Sequence, residues 1–304
     1  MQDRRTTDPR DPTGGGTDKE WMERLTRRSD LPLETEVLET ADRGPVSVMD
    51  ITFAGITGER VPAYRVIPKG RDRFGIVLFV HPGPGDRSRF YQEALRLGSK
   101  GIGSFLVEAP WAAGEAWAQT LGAPEKNREV FVDAIRGLSR ALDVAIDHPG
   151  VDPSCIACVG QSMGALCVAV LAGIDPRCCA CVLVVGAPSF ADVALANLPS
   201  LAGDELEHYR EVMAPIDPAT HLCHAAPLPR FFQFGERDRV FSRERSEAFA
   251  AAASEPKFVR WYYTDHAFES EEAERDRVEW LLARLGTGYR RMKGTTGRPP
   301  VRRK

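Results

Sequence analysis

One pentapeptide in the 304-residue chain carries the residue types of covalent acyl chemistry: Gly160-Gln161-Ser162-Met163-Gly164. It stands directly between an apolar run that reads as a strand and an Ala-rich run that reads as a helix. A serine at such a turn takes a strained backbone conformation that only small neighbours tolerate. Gly160 and Gly164, two residues to either side, supply that room. The turn lifts the Ser162 hydroxyl above a sheet, at a helix N-terminus whose dipole favours developing negative charge. A serine hydroxyl is a poor nucleophile without a general base. Of the six histidines, His266 lies past the end of the last apparent strand, in Tyr262-Tyr263-Thr264-Asp265-His266-Ala267-Phe268, where a loop can hang it over the serine. His148 reads as a turn residue at a helix end. His208, His221 and His224 fall in a helical stretch, and His221-Leu222-Cys223-His224 offers only three local ligands where zinc sites want four.

A base needs an acid to fix its tautomer and to stabilise its cation. Phe234-Gly235-Glu236-Arg237-Asp238 follows the strand before the one that leads to His266. Asp238 is the natural candidate and Glu236 the fallback, whereas Asp265 is adjacent to His266 and neighbours in an extended loop point apart. The resulting order is Ser, Asp, His. The remaining part is an oxyanion hole. One donor is the backbone N–H of Met163, just after the nucleophile. The other comes from His81-Pro82-Gly83-Pro84-Gly85, where the prolines have no N–H to give. This leaves Gly83 first and Gly85 second, with His81 shaping the loop.

Strands and helices alternate from Val46 onward, as a mainly parallel sheet with helices on both faces requires. Val46–Phe53 and Val61–Ile67 read as a leading antiparallel pair. Phe74–Val80, Gly103–Val107, Cys155–Val159, Ala180–Val185, Phe231–Phe234 and Phe258–Tyr263 read as the later strands. The helices fall near Tyr91–Leu97, Asn127–Ile146, Met163–Ala172, Arg243–Ala252 and Glu271–Leu285, the last capped by Ser270. Residues 1–16 read as a flexible tail, 17–45 as an N-terminal helix and linker, 46–288 as one α/β domain and 289–304 as a basic flexible tail. A helical insert at about 189–228 and the segment carrying Trp111 and Trp117 break the rhythm. Long connections beyond strand C-termini roof the ligand crevice in open α/β sheets. That makes His81, Trp111, Trp117, Tyr209, Met213 and Phe268 candidate pocket residues, although core lining uses the same residue types.

On these motifs the sequence resembles α/β-hydrolases of the dienelactone hydrolase, acetyl xylan esterase and acyl-peptidase neighbourhood, over about Val46 to Leu285. The resemblance implies the α/β-hydrolase fold and cofactor-free hydrolysis through an acyl-enzyme, with Ser162, Asp238 and His266 as triad and Gly83 and Met163 as oxyanion donors. Two departures matter. Dienelactone hydrolases proper use a cysteine nucleophile, so Ser162 points to ester or amide chemistry. The two prolines of the oxyanion loop stand where relatives often carry glycine. The expected activity is cleavage of a carboxylic ester. A second reading keeps the site but performs acyl transfer, thioester cleavage, cyclisation or a lyase step, since one fold hosts many reactions. A non-catalytic binding module is disfavoured by the intact Ser, Asp and His set.

Composition bounds the partners. A net charge of −3 is too small to steer a charged macromolecule. The seven basic residues between Arg290 and Lys304 lack the aromatic platform of a nucleic-acid site. Seven cysteines, an odd number set mostly in apolar runs, read as reduced core thiols, and Cys155-x-x-Cys158 has no second pair downstream to complete a metal site. No run approaches the ~20 apolar residues of a membrane span, and no secretory signal is visible at the N-terminus. The expectation is a cytoplasmic protein acting on a small-molecule acyl substrate without metal or cofactor, without nucleic acid or membrane, and with a homodimer left open.

Overall fold

The computed structural model describes residues 18–223 and 228–286. The two tails and His224 lie outside them. In chain order the elements are α1 (Asp18–Thr26), β1 (Glu36–Arg43), β2 (Val46–Ala54), β3 (Arg60–Pro68), β4 (Phe74–Val80), α2 (Tyr91–Ser99) and β5 (Gly103–Val107). Then come α3 (Glu115–Ala118), α4 (Pro124–Ile146), β6 (Val151–Gln161), α5 (Met163–Ile174), β7 (Cys178–Val184), α6 (Phe190–Asn197), α7 (Gly203–Met213) and α8 (Pro218–Leu222). The series ends with β8 (Arg230–Gly235), α9 (Arg243–Ala252), β9 (Lys257–Tyr262) and α10 (Glu271–Leu285).

The nine strands form one sheet in the order β1-β2-β3-β5-β4-β6-β7-β8-β9. The β1–β2, β2–β3 and β3–β5 pairs are antiparallel and the other five pairs are parallel. All seven residues of β4 are buried, as befits a central strand covered on both faces. Its side chains alternate: Ile76, Leu78 and Val80 pack with α1, α4, α5 and α9, while Val77 and Phe79 pack with α2 and α10. Helices therefore cover both faces, as the alternation in the sequence requires. Ser270 caps α10 by accepting the Ala273 N–H.

The structure departs from the sequence reading at the front edge. The segment 17–45 holds a strand, β1, besides its helix and linker, so three antiparallel strands lead the sheet rather than two. The described part of the 189–228 insert holds α6, α7, a 3-10 turn at Ala214–Ile216 and α8, between β7 and β8. Ser189 and Asp192 form a reciprocal capping box at the start of α6.

Candidate functional site

The parallel strands β4, β6, β8 and β9 all point the same way, so the turns that follow them gather at one end of the sheet. Between β6 and α5, Ser162 adopts φ 53°, ψ −120°, a left-handed conformation that costs a non-glycine residue on the order of 1 kcal/mol or more. Its neighbours explain how the turn survives. A Cβ on Gly160 would overlap the Gly164 carbonyl, and one on Gly164 would overlap the Val80 carbonyl and lie 2.8 Å from that of His81. Only glycine fits at either position. The Ser162 N–H donates to the Val184 carbonyl across the sheet at 2.8 Å, pinning the turn from its other side.

The Ser162 hydroxyl lies 2.9 Å from His266 Nε2, and His266 Nδ1 lies 2.8 Å from Asp238 Oδ2. A carboxylate only accepts, so Nδ1 carries the ring proton and Nε2 is left to accept from the serine. The other oxygen of Asp238 accepts the N–H groups of Val240 at 2.8 Å and Phe241 at 3.1 Å. That fixes the carboxylate in the turn after β8, with 4 % of its side chain exposed. The Phe241 ring stands edge-on to the His266 imidazole, centroids 5.2 Å apart. The sequence order Ser, Asp, His is thus a single hydrogen-bonded chain in space. Glu236 is absent from it, its N–H instead donating to the Tyr262 carbonyl, and the Asp265 carboxylate accepts the Ala267 N–H.

Met163 is the first residue of α5, where backbone N–H groups have no intrahelical acceptor. Gly83 faces it: a Cβ there would overlap Met163 Cε and lie 3.2 Å from Trp111 Cδ1. A Cβ on Gly85 would instead meet its own loop, 2.9 Å from the Pro82 carbonyl. Of the two glycines, Gly83 is the one packed against the elbow.

His81 is buried. Its Nε2 accepts the Ala109 N–H at 3.0 Å, which leaves the proton on Nδ1, 2.7 Å from the Pro82 carbonyl. Trp111 Nε1 is 3.2 Å from both His81 Nδ1 and His81 O. A protonated Nδ1 cannot accept, so Trp111 donates to the carbonyl. Burial lowers the pKa of His81, against the opposing pull of the Pro82 carbonyl, Glu108 and Asp86. A neutral ring with both nitrogens engaged ties the loop after β4 to the segment after β5.

The remaining pocket candidates are core residues. Tyr209 donates to Asn127 Oδ1 at 2.6 Å and is buried, as is Met213. Trp117 stands edge-on to Phe131. All three belong to the core on the α4–α5 face of the sheet. Phe268 packs on the other face, edge-on to Tyr262. A pocket of about 490 Å³ opens beside the end of β5, lined by Phe53, Ile56, Val61, Val107, Ala109 and Leu138 among others. Ser162, Asp238 and His266 do not line it. Among the described residues, no group of three or more His, Cys, Asp and Glu could hold a metal ion. His221 Nε2 is engaged by the Pro215 carbonyl. Cys158 of the C-x-x-C pair faces Cys178, with sulfurs 3.3 Å apart.

Sequence reasoning missed two residues that touch the site's supporting loop, Arg89 and Gln161. Both contact the carbonyl of Ala267, next to His266. A glutamine between two glycine-spaced positions at the end of a buried strand was the available signal for one. The arginine gave none.

No family model and no curated protein matches the sequence. Solved structures do. An acetyl xylan esterase from Paenibacillus sp. R4 superposes with a TM-score of 0.72 at 20% identity, over 88% of this chain and 94% of that one. Acetyl xylan esterase 1 from a Thermoanaerobacterium species gives 0.71 at 16%, over 87% and 92%. A putative dienelactone hydrolase from Klebsiella pneumoniae gives 0.57 at 21%, over 78% and 98%. At these identities the likeness is one of fold: the chain has the α/β-hydrolase fold.

Proposed function

We propose that the protein is a serine hydrolase that cleaves a carboxylic ester or a related acyl bond through an acyl-enzyme on Ser162. The observation that carries this reading is the chain from the Ser162 hydroxyl through His266 to Asp238, at 2.9 and 2.8 Å, on a serine held at positive φ. His266 Nε2 takes the hydroxyl proton as Ser162 attacks the carbonyl carbon, and Asp238 stabilises the imidazolium that forms. The carbonyl oxygen becomes an oxyanion facing the N–H groups of Met163 and Gly83. Each such donor contributes on the order of 3 kcal/mol of transition-state stabilisation in a site of this type. His266 then returns its proton to the leaving oxygen. Water, activated by the same imidazole, releases the acid and regenerates the serine. Acetyl and dienelactone groups are named for structural neighbours at 20% and 21% identity, which favours a small acyl group here. The seven cysteines, all free thiols, support a reducing compartment such as the cytoplasm.

The test is labelling with a fluorophosphonate, parent beside Ser162→Ala and His266→Ala, with mass spectrometry of the adduct. The expected result is one adduct on Ser162, absent from the first variant and formed at least 100-fold more slowly in the second, on the scale of general-base catalysis. A folded parent that takes no label overturns the reading. Turnover of p-nitrophenyl acetate in water, compared with turnover in the presence of added alcohols, separates hydrolysis from acyl transfer.

A further inference from the structure

We infer that Arg89 and Gln161 are positioning residues for His266, acting through the carbonyl oxygen of Ala267; the inference rests on the reading of His266 as the base. His266 sits in the connection from β9 to α10, which contains a non-glycine residue at positive φ, Phe268 at 57°. A loop with such a residue relaxes unless its surroundings hold it. The holding groups form a closed ring of three hydrogen bonds. Arg89 Nε donates to Gln161 Oε1 at 3.0 Å, Gln161 Nε2 donates to Ala267 O at 3.0 Å, and Arg89 Nη2 donates to the same oxygen at 2.9 Å. A longer contact runs from Nη2 to Phe268 O at 3.5 Å.

The covalent neighbours make this ring specific. Gln161 precedes Ser162, and Ala267 follows His266. The ring therefore joins the residue before the nucleophile to the residue after the base, and it sets the separation between the two from outside the Ser162–His266 hydrogen bond itself. Gln161 is 2 % exposed and its backbone belongs to β6, the rigid centre of the sheet. Its amide has one oxygen to accept from Arg89 and one nitrogen to donate to the loop, so an isosteric side chain without those groups leaves the loop carbonyl short of a partner. Arg89 reaches in from the turn before α2, so the base is braced against the helix layer as well as the sheet. Placement errors of about 1 Å at a reacting group cost on the order of 10²-fold in rate.

The experiment compares the parent with Gln161→Met, Arg89→Ala and the double variant, reading two signals. The first is the downfield proton resonance of His266 Nδ1, assigned by its loss in His266→Ala. It reports the base's geometry whether or not the protein turns over an ester. The second is kcat and KM on p-nitrophenyl acetate, with thermal midpoints measured alongside. The expected result is a resonance broadened beyond detection at neutral pH in both single variants, and kcat lowered about 10- to 100-fold with KM within about twofold. The double variant should be little worse than either single one, as for groups that act as a unit. Millimolar guanidinium should recover part of the loss in Arg89→Ala, which a change in overall packing would not allow. A sharp, unshifted resonance in Gln161→Met and Arg89→Ala overturns the inference, as does parental kcat in both. A parent that shows the resonance but hydrolyses nothing removes the esterase reading and leaves the brace to be judged on the resonance alone.

Discussion

The tautomer of His266 is decided by one oxygen of Asp238, and the other oxygen decides how robust that choice is. Oδ1 is held by two backbone N–H groups, those of Val240 and Phe241. In Asp238→Asn the side-chain carbonyl keeps those donors, because an amide nitrogen facing them would have nothing to accept. The amide NH₂ is then turned toward His266 Nδ1, which must become the acceptor. The ring proton moves to Nε2, where it can no longer take a proton from Ser162. We expect kcat to fall about 10³- to 10⁴-fold, with KM and the thermal midpoint close to the parent's. Kinetics on p-nitrophenyl acetate check this, and a loss below tenfold would remove Asp238 from the site. Histidine 81 illustrates the converse. It stands beside the same elbow, yet the Ala109 N–H occupies its Nε2, so it cannot serve as a second base.

At the scale of elements, the insert is tied down by a carboxyl that burial perturbs. Asp217 precedes α8 and accepts the Phe190 N–H at the start of α6, 2.8 Å away. Burial pushes its pKa from 3.8 up to about 7; the Phe190 and Ser189 hydrogen bonds and Arg245 act against that rise, and Asp192 adds to it. A value raised in the folded state means that folding favours the protonated form. Stability contributed by this group is therefore full below pH 4 and is lost as the pH climbs through 7. Asp217→Asn keeps an acceptor for Phe190 and cannot ionise. Its thermal midpoint should exceed the parent's by at least a few degrees at pH 8 and match it near pH 4; an equal gap at both pH values would defeat the idea. The carboxyl's role was not legible in the sequence, because burial of Asp217 arises only when α6 and α8 meet. The same contrast runs through the fold. Strands β4, β6 and β7 announced themselves as continuous apolar runs because both faces are covered. Strand β1 did not, since Glu36-Val37-Leu38-Glu39-Thr40-Ala41-Asp42-Arg43 pairs on one side only and buries almost nothing, with Val37 52% and Leu38 56% exposed. Its existence depends on the backbone of β2. The hydrogen-bonded set of Ser162, His266 and Asp238 was legible because Ser162 and Asp238 each follow a buried apolar strand and His266 follows the next one along the chain. Arg89 was not, because its partner is a main-chain carbonyl 178 residues away.

For the molecule as a whole, the two faces of the sheet are closed by different physics. The α4–α5 face is an apolar core edged by the buried polar side chains of Asn127, Arg128 and Arg140, whereas the α2–α10 face contains an ion pair at its centre. Arg277 on α10 donates from Nε and Nη2 to the two oxygens of Glu93 on α2, at 2.8 and 2.6 Å, and from Nη1 to Gln233 of β8 at 2.6 Å. Gln233 in turn donates to the Tyr262 hydroxyl at 3.0 Å and the Ala273 carbonyl at 2.8 Å. Both charged side chains are buried, so the pair's attraction is set against the cost of taking two ions out of water, and the net is small. What the pair contributes is a consequence for whichever partner is left alone. Arg277→Leu strands the Glu93 carboxylate among apolar neighbours and should cost about 3–5 kcal/mol, seen as a lower urea midpoint with an unchanged slope. Glu93→Leu/Arg277→Leu removes both charges and should recover most of that loss. Equal stabilities of the single and double variants would show that Gln233, rather than Glu93, is what Arg277 serves. Because Phe90, beside Arg89, lies against the Arg277 guanidinium at 5.8 Å, and both variants remove that guanidinium, kcat should fall in the single and the double variant alike, while stability recovers only in the double.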